Sequence, residues 1–174
     1  MATGTPAAGA LSIRTAVASD LEALTAIYNH YVRDTPVTFD LEPFGIDARR
    51  SWLDGFGVTG RYRMLVVEAA AGLLGYACSH RFRGKAAYDR SVETTIYLDP
   101  EATGKGVGRC LYEALFEELA SEDVHLALAG ITLPNPASQA LHRRLGFEPV
   151  GVFTQVGYKF GRYWDVAWMQ KPVR

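Results

Sequence analysis

Glu93 is the one charged side chain in Ser91-Val92-Glu93-Thr94-Thr95-Ile96-Tyr97-Leu98, and three alternate glycines, Gly104, Gly106 and Gly108, follow shortly after it. A carboxylate among apolar neighbours loses hydration, which raises its pKa and suits it to accept a proton near neutral pH. A glycine-rich turn entering a helix offers backbone N–H groups and the helix dipole to an anion. The spacing excludes two familiar anion loops. A nucleotide-triphosphate loop needs Gly-Lys followed by Ser or Thr, which Gly104-Lys105-Gly106 lacks, and a dinucleotide fingerprint would need a third glycine where Arg109 stands. Thr103-x-x-Gly106-x-Gly108 remains, in which Gly106 admits a ligand to the backbone and Gly108 lets a helix lie close to a sheet. On its own, the turn reads first as an ordinary strand-to-helix connection, and Glu93 as a solvated sheet-face residue. The cations Arg81, Arg83 and Lys85 precede this stretch, where a guanidinium can grip an oxyanion with two hydrogen bonds. They too have a bland reading, as a solvated loop.

The elements that must position these residues are written around them. Val92, Thr94, Ile96 and Leu98 share one face of a strand, and Glu93, Thr95 and Tyr97 share the other. Asp99-Pro100 ends it, and Val107, Leu111, Leu115 and Leu119 recur as one face of a helix. Before this unit, residues 11–16 predict a short strand, and Ser19-Asp20-Leu21-Glu22 predicts a capping box opening a helix through Tyr31. Thr38 and Phe39 fall on an exposed connection, and residues 47–56 predict a second helix burying Trp52 and Phe56. Runs at 64–68 and 73–78 predict an antiparallel hairpin. After the long helix, residues 126–133 predict a strand that a right-handed crossover sets parallel to 92–98. Asn135 then caps a helix with Pro136 at its first position, Gly146 closes it, and a hairpin turning at Phe160-Gly161-Arg162 ends the chain. One mixed sheet with helices packed on it, an α/β domain over residues 11–174 behind a flexible tail at 1–10, accommodates this order.

The 174 residues, 48% hydrophobic and 21% charged, suit a single domain with an ample core. A net charge of −1 argues against a nucleic-acid binder, whose phosphate contacts need a basic excess. Cys78 and Cys110 have neither metal-ligand nor disulfide spacing and read as reduced core residues, so no metal is expected. No uncharged run approaches the ~18 residues of a membrane span, and the first residues do not read as a signal peptide. The expectation is a cytoplasmic protein.

The glycine turn, with Asn135-Pro136-Ala137-Ser138 and its helix ending at Gly146-Phe147, resembles the GCN5-related N-acetyltransferases. Their central motif is a strand, Gln or Arg-x-x-Gly-x-Gly or Ala, and a helix, and their next is Asn-x-x-Ser before an apolar helix. The resemblance extends to the phosphinothricin and methionine sulfoximine acetyltransferase branch through Ile27-Tyr28-Asn29-His30-Tyr31-Val32, Val37-Thr38-Phe39, Ala87-Tyr88-Asp89, Val92-Glu93-Thr94, Leu133-Pro134-Asn135 and Leu141-His142. Gly157-Tyr158-Lys159-Phe160-Gly161 and Asp165-Val166 complete it, so that it covers most of residues 11–172. Two departures stand out: Thr103 replaces the Gln or Arg of the pyrophosphate loop, and Arg83 and Lys85 replace a basic pair whose type and order vary within the branch.

The resemblance implies a central, mostly antiparallel sheet of about seven strands whose one parallel pair, 92–98 with 126–133, splays to admit acetyl-CoA. It implies that Ile96, Tyr97 and Leu98 hold the pantetheine arm, that Gly104, Lys105, Gly106, Val107, Gly108 and Arg109 hold the pyrophosphate, and that Asn135 and Ser138 line the other wall. Glu93 becomes the general base for an amino-acid acceptor. His142 stands where many relatives carry a tyrosine that protonates the departing thiolate; it would do this or steady the acetyl carbonyl. Thr38, Phe39, Arg83, Lys85 and Tyr88 would form the acceptor pocket, and Lys159 and Asp165 lie on a hairpin that approaches a partner subunit in this branch, implying a homodimer. The expected reaction is direct acetyl transfer to the amine of a small amino acid such as phosphinothricin, methionine sulfoximine or methionine sulfone. Another amine, from a peptide N-terminus or a polyamine, or a non-catalytic acyl-CoA-binding module, stands as the alternative.

Overall fold

A computed structural model describes residues 11–174; the tail expected at 1–10 lies outside the described residues. Seven strands form one sheet in the order β1-β2-β3-β4-β5-β7-β6. They are β1 (Ser12–Thr15), β2 (Met64–Ala69), β3 (Gly72–Arg81), β4 (Ser91–Leu98), β5 (Leu126–Thr132), β6 (Glu148–Lys159) and β7 (Arg162–Pro172). All neighbours pair antiparallel except β4 with β5. The helices are α1 (Leu21–Asp34), α2 (Ile46–Leu53), α3 (Val107–Ala120) and α4 (Pro136–Arg144). A mixed α/β architecture results, as the sequence led us to expect.

Residue parity on the strands assigns the two faces. Leu65, Val67, Ala77, Val92 and Ala127 pack under α3, whose Val107, Leu111, Leu115 and Leu119 are all buried against them. Met64, Val66, Tyr76 and Cys78 pack on the opposite face against Leu21, Leu24 and Ile27 of α1 and Leu53 of α2. Residues 64–67 of β2 are therefore buried on both sides, which is why they read as an unbroken apolar run. Because Val92 belongs to the α3 face, Glu93 points to the face roofed by α1 and α2.

Several local expectations need correction. The capping box at Ser19 does not form: a 3-10 turn at Ala18–Asp20 precedes α1, and the Asp20 carboxylate accepts from Arg14 at 2.7 and 2.8 Å and from the Val17 amide at 2.8 Å. The neighbouring Arg14 also holds the Asp20 carboxyl below its ordinary range. Helix α1 continues past Tyr31 to Asp34. Helix α2 is shorter than the pattern suggested and buries Arg49 and Leu53, leaving Trp52 and Phe56 half-buried. Cys110 is exposed, because the buried stripe of α3 takes in Gly108 and Tyr112 and turns the opposite flank outward. Thr38 is buried rather than exposed. No described helix is long and apolar enough to cross a membrane.

Candidate active site

Between β4 and β5 the sheet opens. These strands pair only from Ser91 with Leu126 to Glu93 with Leu128. Beyond that point β4 stays with β3 as far as Leu98 opposite Gly75, while β5 stays with β7 as far as Thr132 opposite Val166. A wedge results, and at its apex the Thr94 hydroxyl donates to the Leu128 carbonyl at 3.2 Å. The Asp99 N–H donates to the Leu74 carbonyl, which fixes the alternation along β4. The backbone groups of Glu93, Thr95 and Tyr97 turn toward β3, and those of Ile96 and Leu98 turn toward the wedge, where no strand among the described residues meets them. Such an edge suits an extended ligand carrying amide and carbonyl groups. At its mouth the Tyr31 hydroxyl donates to the Leu98 carbonyl at 2.7 Å.

The glycine turn lies where β4 hands over to α3. Gly104 and Gly106 have φ of 72° and 82°, the left-handed region in which a side chain is strained, and a Cβ on either would meet no heavy atom within 4 Å. Gly106 caps α3, and its carbonyl receives the amides of Arg109 and Cys110, so those of Val107 and Gly108 are left free at the helix start. Gly108 is a contact glycine: a Cβ there would stand 3.3 Å from Leu98 and 3.4 Å from Ile96. The Thr103 hydroxyl folds back to the Pro100 carbonyl at 2.8 Å, and Arg109 pairs with Glu113 at 2.7 Å. Lys105 is exposed beside the turn. N–H groups without a partner among the described residues, open space at both left-handed glycines and a helix dipole fit a pyrophosphate.

On the other face of β4, a cavity of about 150 Å³ opens beside Glu93. Its floor is Tyr76, Cys78 and His80 of β3 with Thr95 and Tyr97 of β4, and its roof is Tyr28 of α1 with Arg49 and Trp52 of α2. His80 stands directly across from Glu93, and its Nε2 lies 3.2 Å from the Thr95 hydroxyl. Burial raises the Glu93 carboxyl above its ordinary 4.5, and nearby His80 and Arg83 draw it part of the way back. Arg83, Lys85 and Tyr88 are exposed on the connection after β3, with the Arg83 guanidinium 4.7 Å over the Phe82 ring.

Thr38 joins three elements over this cavity. Its hydroxyl lies 2.8 Å from that of Tyr28, which also donates to Asp40, and its carbonyl accepts from the buried Lys159 ammonium at 2.8 Å. Desolvation lowers the Lys159 pKa, and Asp40 opposes the change. Phe39 lies on the backbone of Gly157, where any Cβ would stand 2.1 Å from its ring.

The other wall of the wedge belongs to α4. Asn135 caps it, accepting the Ser138 amide at 3.0 Å, with Pro136 in the first turn. His142 is 3% exposed, between the rings of Tyr112 and Phe147. Its Nδ1 faces the Ser138 carbonyl at 2.8 Å, which places the proton there and leaves Nε2 to accept from the Tyr112 hydroxyl at 3.4 Å. Burial lowers its pKa, so the ring is neutral at neutral pH.

The structure thus gathers Ile96, Leu98, the glycine turn, Asn135 and Ser138 around the wedge, and sets Glu93 across from the cavity-lining His80 and Thr38 on the cavity-lining Tyr28, while Phe39 packs on Gly157. It separates Tyr97 from the first group, since that ring packs on Tyr28 at 5.1 Å and Tyr31 at 5.0 Å on the cavity side of β4. Arg49, Tyr76, His80 and Thr95 escaped the sequence reading. The signal for the last three was strand parity, which sets them on Glu93's face; Arg49 carried none, because a cation on a short polar helix looks solvated.

The acetyltransferase (GNAT) domain family matches residues 13–168. The chain is 51% identical over 170 residues to a phosphinothricin N-acetyltransferase of Streptomyces coelicolor, covering 97% of this chain and 99% of that one. It is 40% identical over 160 residues to an L-methionine sulfoximine/L-methionine sulfone acetyltransferase of Pseudomonas paraeruginosa, covering 91% and 92%. Among solved structures, a phosphinothricin acetyltransferase from Sinorhizobium meliloti in complex with acetyl-CoA superposes with a TM-score of 0.85 at 37% identity, covering 93% of this chain and 88% of that one. The chain therefore belongs to the GCN5-related N-acetyltransferases, in the branch that holds the phosphinothricin and methionine sulfoximine enzymes.

Proposed function

We propose that this acyltransferase moves the acetyl group of acetyl-CoA to the α-amine of a small amino acid such as phosphinothricin, methionine sulfoximine or methionine sulfone. The observation that carries the reading is the opening of β4 from β5 at Glu93, which sets a ligand edge on one side of the strand and, on the other, the Glu93 carboxylate beside a cavity. Bound acetyl-CoA supplies an acetyl group activated as a thioester. The Ile96 and Leu98 amides grip the pantetheine arm and polarise the carbonyl, acting as preorganised donors. The turn from Gly104 to Arg109 holds the pyrophosphate through backbone N–H groups, with exposed Lys105 as a cation beside it. Asn135 and Ser138 close the opposite side.

Glu93 takes the proton that an amino-acid ammonium must lose before its lone pair can attack, directly or through water. Transfer is direct, with no acyl-enzyme. Cys78, the thiol in the cavity floor, is pushed up to about 12 by burial and stays protonated, so it offers no nucleophile. His142, neutral and with its proton committed to Ser138, steadies Tyr112 beneath the wedge rather than protonating the thiolate itself. The reaction belongs to the cytoplasm, where acetyl-CoA is at hand.

Arg83 and Lys85 receive the acceptor's distal oxygen-bearing group. An amine panel with acetyl-CoA, read by thiol release, tests the substrate class: amino acids with a tetrahedral end group turn over fastest. Faster turnover of peptides or polyamines would reassign the acceptor, and acetyl-CoA binding without any turnover would make the chain a binding module. In the same assay Arg83→Ala and Lys85→Ala each raise the acceptor KM about tenfold, the weight of one charge-assisted contact, and leave acetyl-CoA unaffected. Wild-type kinetics in both variants would remove the two residues from the site.

The protein acts as a homodimer through its C-terminal hairpin. Val152, Phe153, Val156, Tyr158 and Tyr163 are each more than half exposed, and β6 is an open sheet edge. The Asp165 carboxylate holds the Gln155 amide at 2.7 Å, shaping the bulge between Phe153 and Gly157 that presents this surface. Light scattering is expected to report a dimer and Phe153→Glu a monomer; a monomeric wild type at micromolar concentration would refute the assembly.

A further inference from the structure

The Arg49 guanidinium is 6% exposed, yet no carboxylate among the described residues pairs with it. Its Nε is buried without a hydrogen-bond partner, and its Nη2 reaches only the Tyr76 hydroxyl, at a long 3.4 Å. Aromatic rings take its faces, Trp52 at 3.4 Å and Tyr28 at 4.5 Å. Stacking of this kind replaces only part of the lost hydration, and it leaves the N–H groups, which lie in the guanidinium plane, still seeking acceptors. Arg49 lines the same cavity as His80 and Thr95, the residues that flank Glu93.

We infer that Arg49 receives the α-carboxylate of the acceptor. This rests on the amino-acid reading above and sharpens it. A buried cation with no protein counter-ion requires an anion from its ligand. Among phosphinothricin, methionine sulfoximine and methionine sulfone, the distal group is charged only in the first, so the one anion common to all three is the α-carboxylate. That group is also bonded to the carbon bearing the reacting amine, so a buried, unpaired cation lining the cavity beside Glu93 suits it better than the solvated Arg83 or Lys85 on the exposed connection. With the carboxylate held in the planar N–H fork, the amine is aimed at Glu93 and the wedge. Arg49 is thus a specificity residue that selects free amino acids over simple amines.

The test uses the full chain with coenzyme A bound and measures, by calorimetry, the affinity for methionine sulfone and for 3-(methylsulfonyl)propylamine, the same molecule without its carboxylate. The wild type binds methionine sulfone about 100-fold more tightly, and in Arg49→Gln the two affinities fall within about threefold because only the amino acid is weakened. Arg49→Lys, which keeps the charge without the fork, recovers part of the preference and serves should the glutamine variant unfold. Equal wild-type affinities, a preference kept in Arg49→Gln, or equal weakening of both ligands would overturn the inference. Acetylation of methionine sulfone separates the two readings: if it proceeds while the wild type shows no carboxylate preference, Arg49 loses its role and the enzyme keeps its substrate class. If methionine sulfone is neither bound nor acetylated, both fail.

Discussion

Glu93→Gln is expected to lower kcat about 100- to 1,000-fold while leaving acetyl-CoA affinity within about threefold of wild type. Glutamine keeps the size and polarity of glutamate and loses only its ability to accept a proton. The contrast with cofactor binding follows from the architecture: Glu93's side chain lies on the α1 and α2 face of β4, whereas the amides facing the wedge belong to Ile96 and Leu98. On the proposed reading, one strand would serve both substrates through different groups. Unchanged turnover would remove Glu93 from the mechanism, and a parallel loss of acetyl-CoA affinity would make it a structural residue of the wedge.

The pH dependence carries a second signature of the same residue. Burial raises the Glu93 pKa, so the acidic limb of kcat falls above 4.5, and the limb is absent in Glu93→Gln. The sign for stability is opposite to that of a salt-bridged carboxylate. A group whose folded pKa is raised contributes stability below its unfolded pKa and loses it as pH rises through the folded value, so ionised Glu93 is a burden at neutral pH. The glutamine variant therefore melts at the wild-type temperature or above it at pH 7, and activity and stability move apart.

The sequence disclosed the wedge better than the cavity, for a physical reason. The wedge is made of local features: the parity of 92–98, glycines at fixed steps and the Asn135 cap with Pro136, each readable within a few residues. The cavity is made of long-range ones. Thr38 is held by Tyr28, ten residues earlier, and by Lys159, far along the chain, and neither contact leaves a periodic trace. Ser19 looked like a helix cap because its neighbourhood fits one, whereas Asp20 is engaged by Arg14, six residues earlier on β1. Arg49 shows the limit most clearly, since its isolation exists only once α2 lies over β3.

Gly106→Val is the other large effect, expected to weaken acetyl-CoA binding at least about 100-fold while the protein stays folded. Two costs are separable. At φ of 82° a side chain strains the backbone by roughly 1–2 kcal/mol, and with about 2–4 °C lost per kcal/mol in a domain of this size the melting temperature falls by roughly 2–8 °C. A Cβ at this position meets no protein atom within 4 Å, so the fold itself has no steric objection. The added bulk instead enters the open space at the start of α3, next to the Val107 and Gly108 amides to which a pyrophosphate oxygen would bond. Gly106→Ala shares the strain with less bulk and is expected to lose a similar amount of stability but less affinity. Gly108→Ala makes the contrast, because its Cβ would press on Leu98 at 3.3 Å and disturb packing instead of the anion site. Normal calorimetric binding of acetyl-CoA by Gly106→Val would show that the pyrophosphate does not lie on this turn.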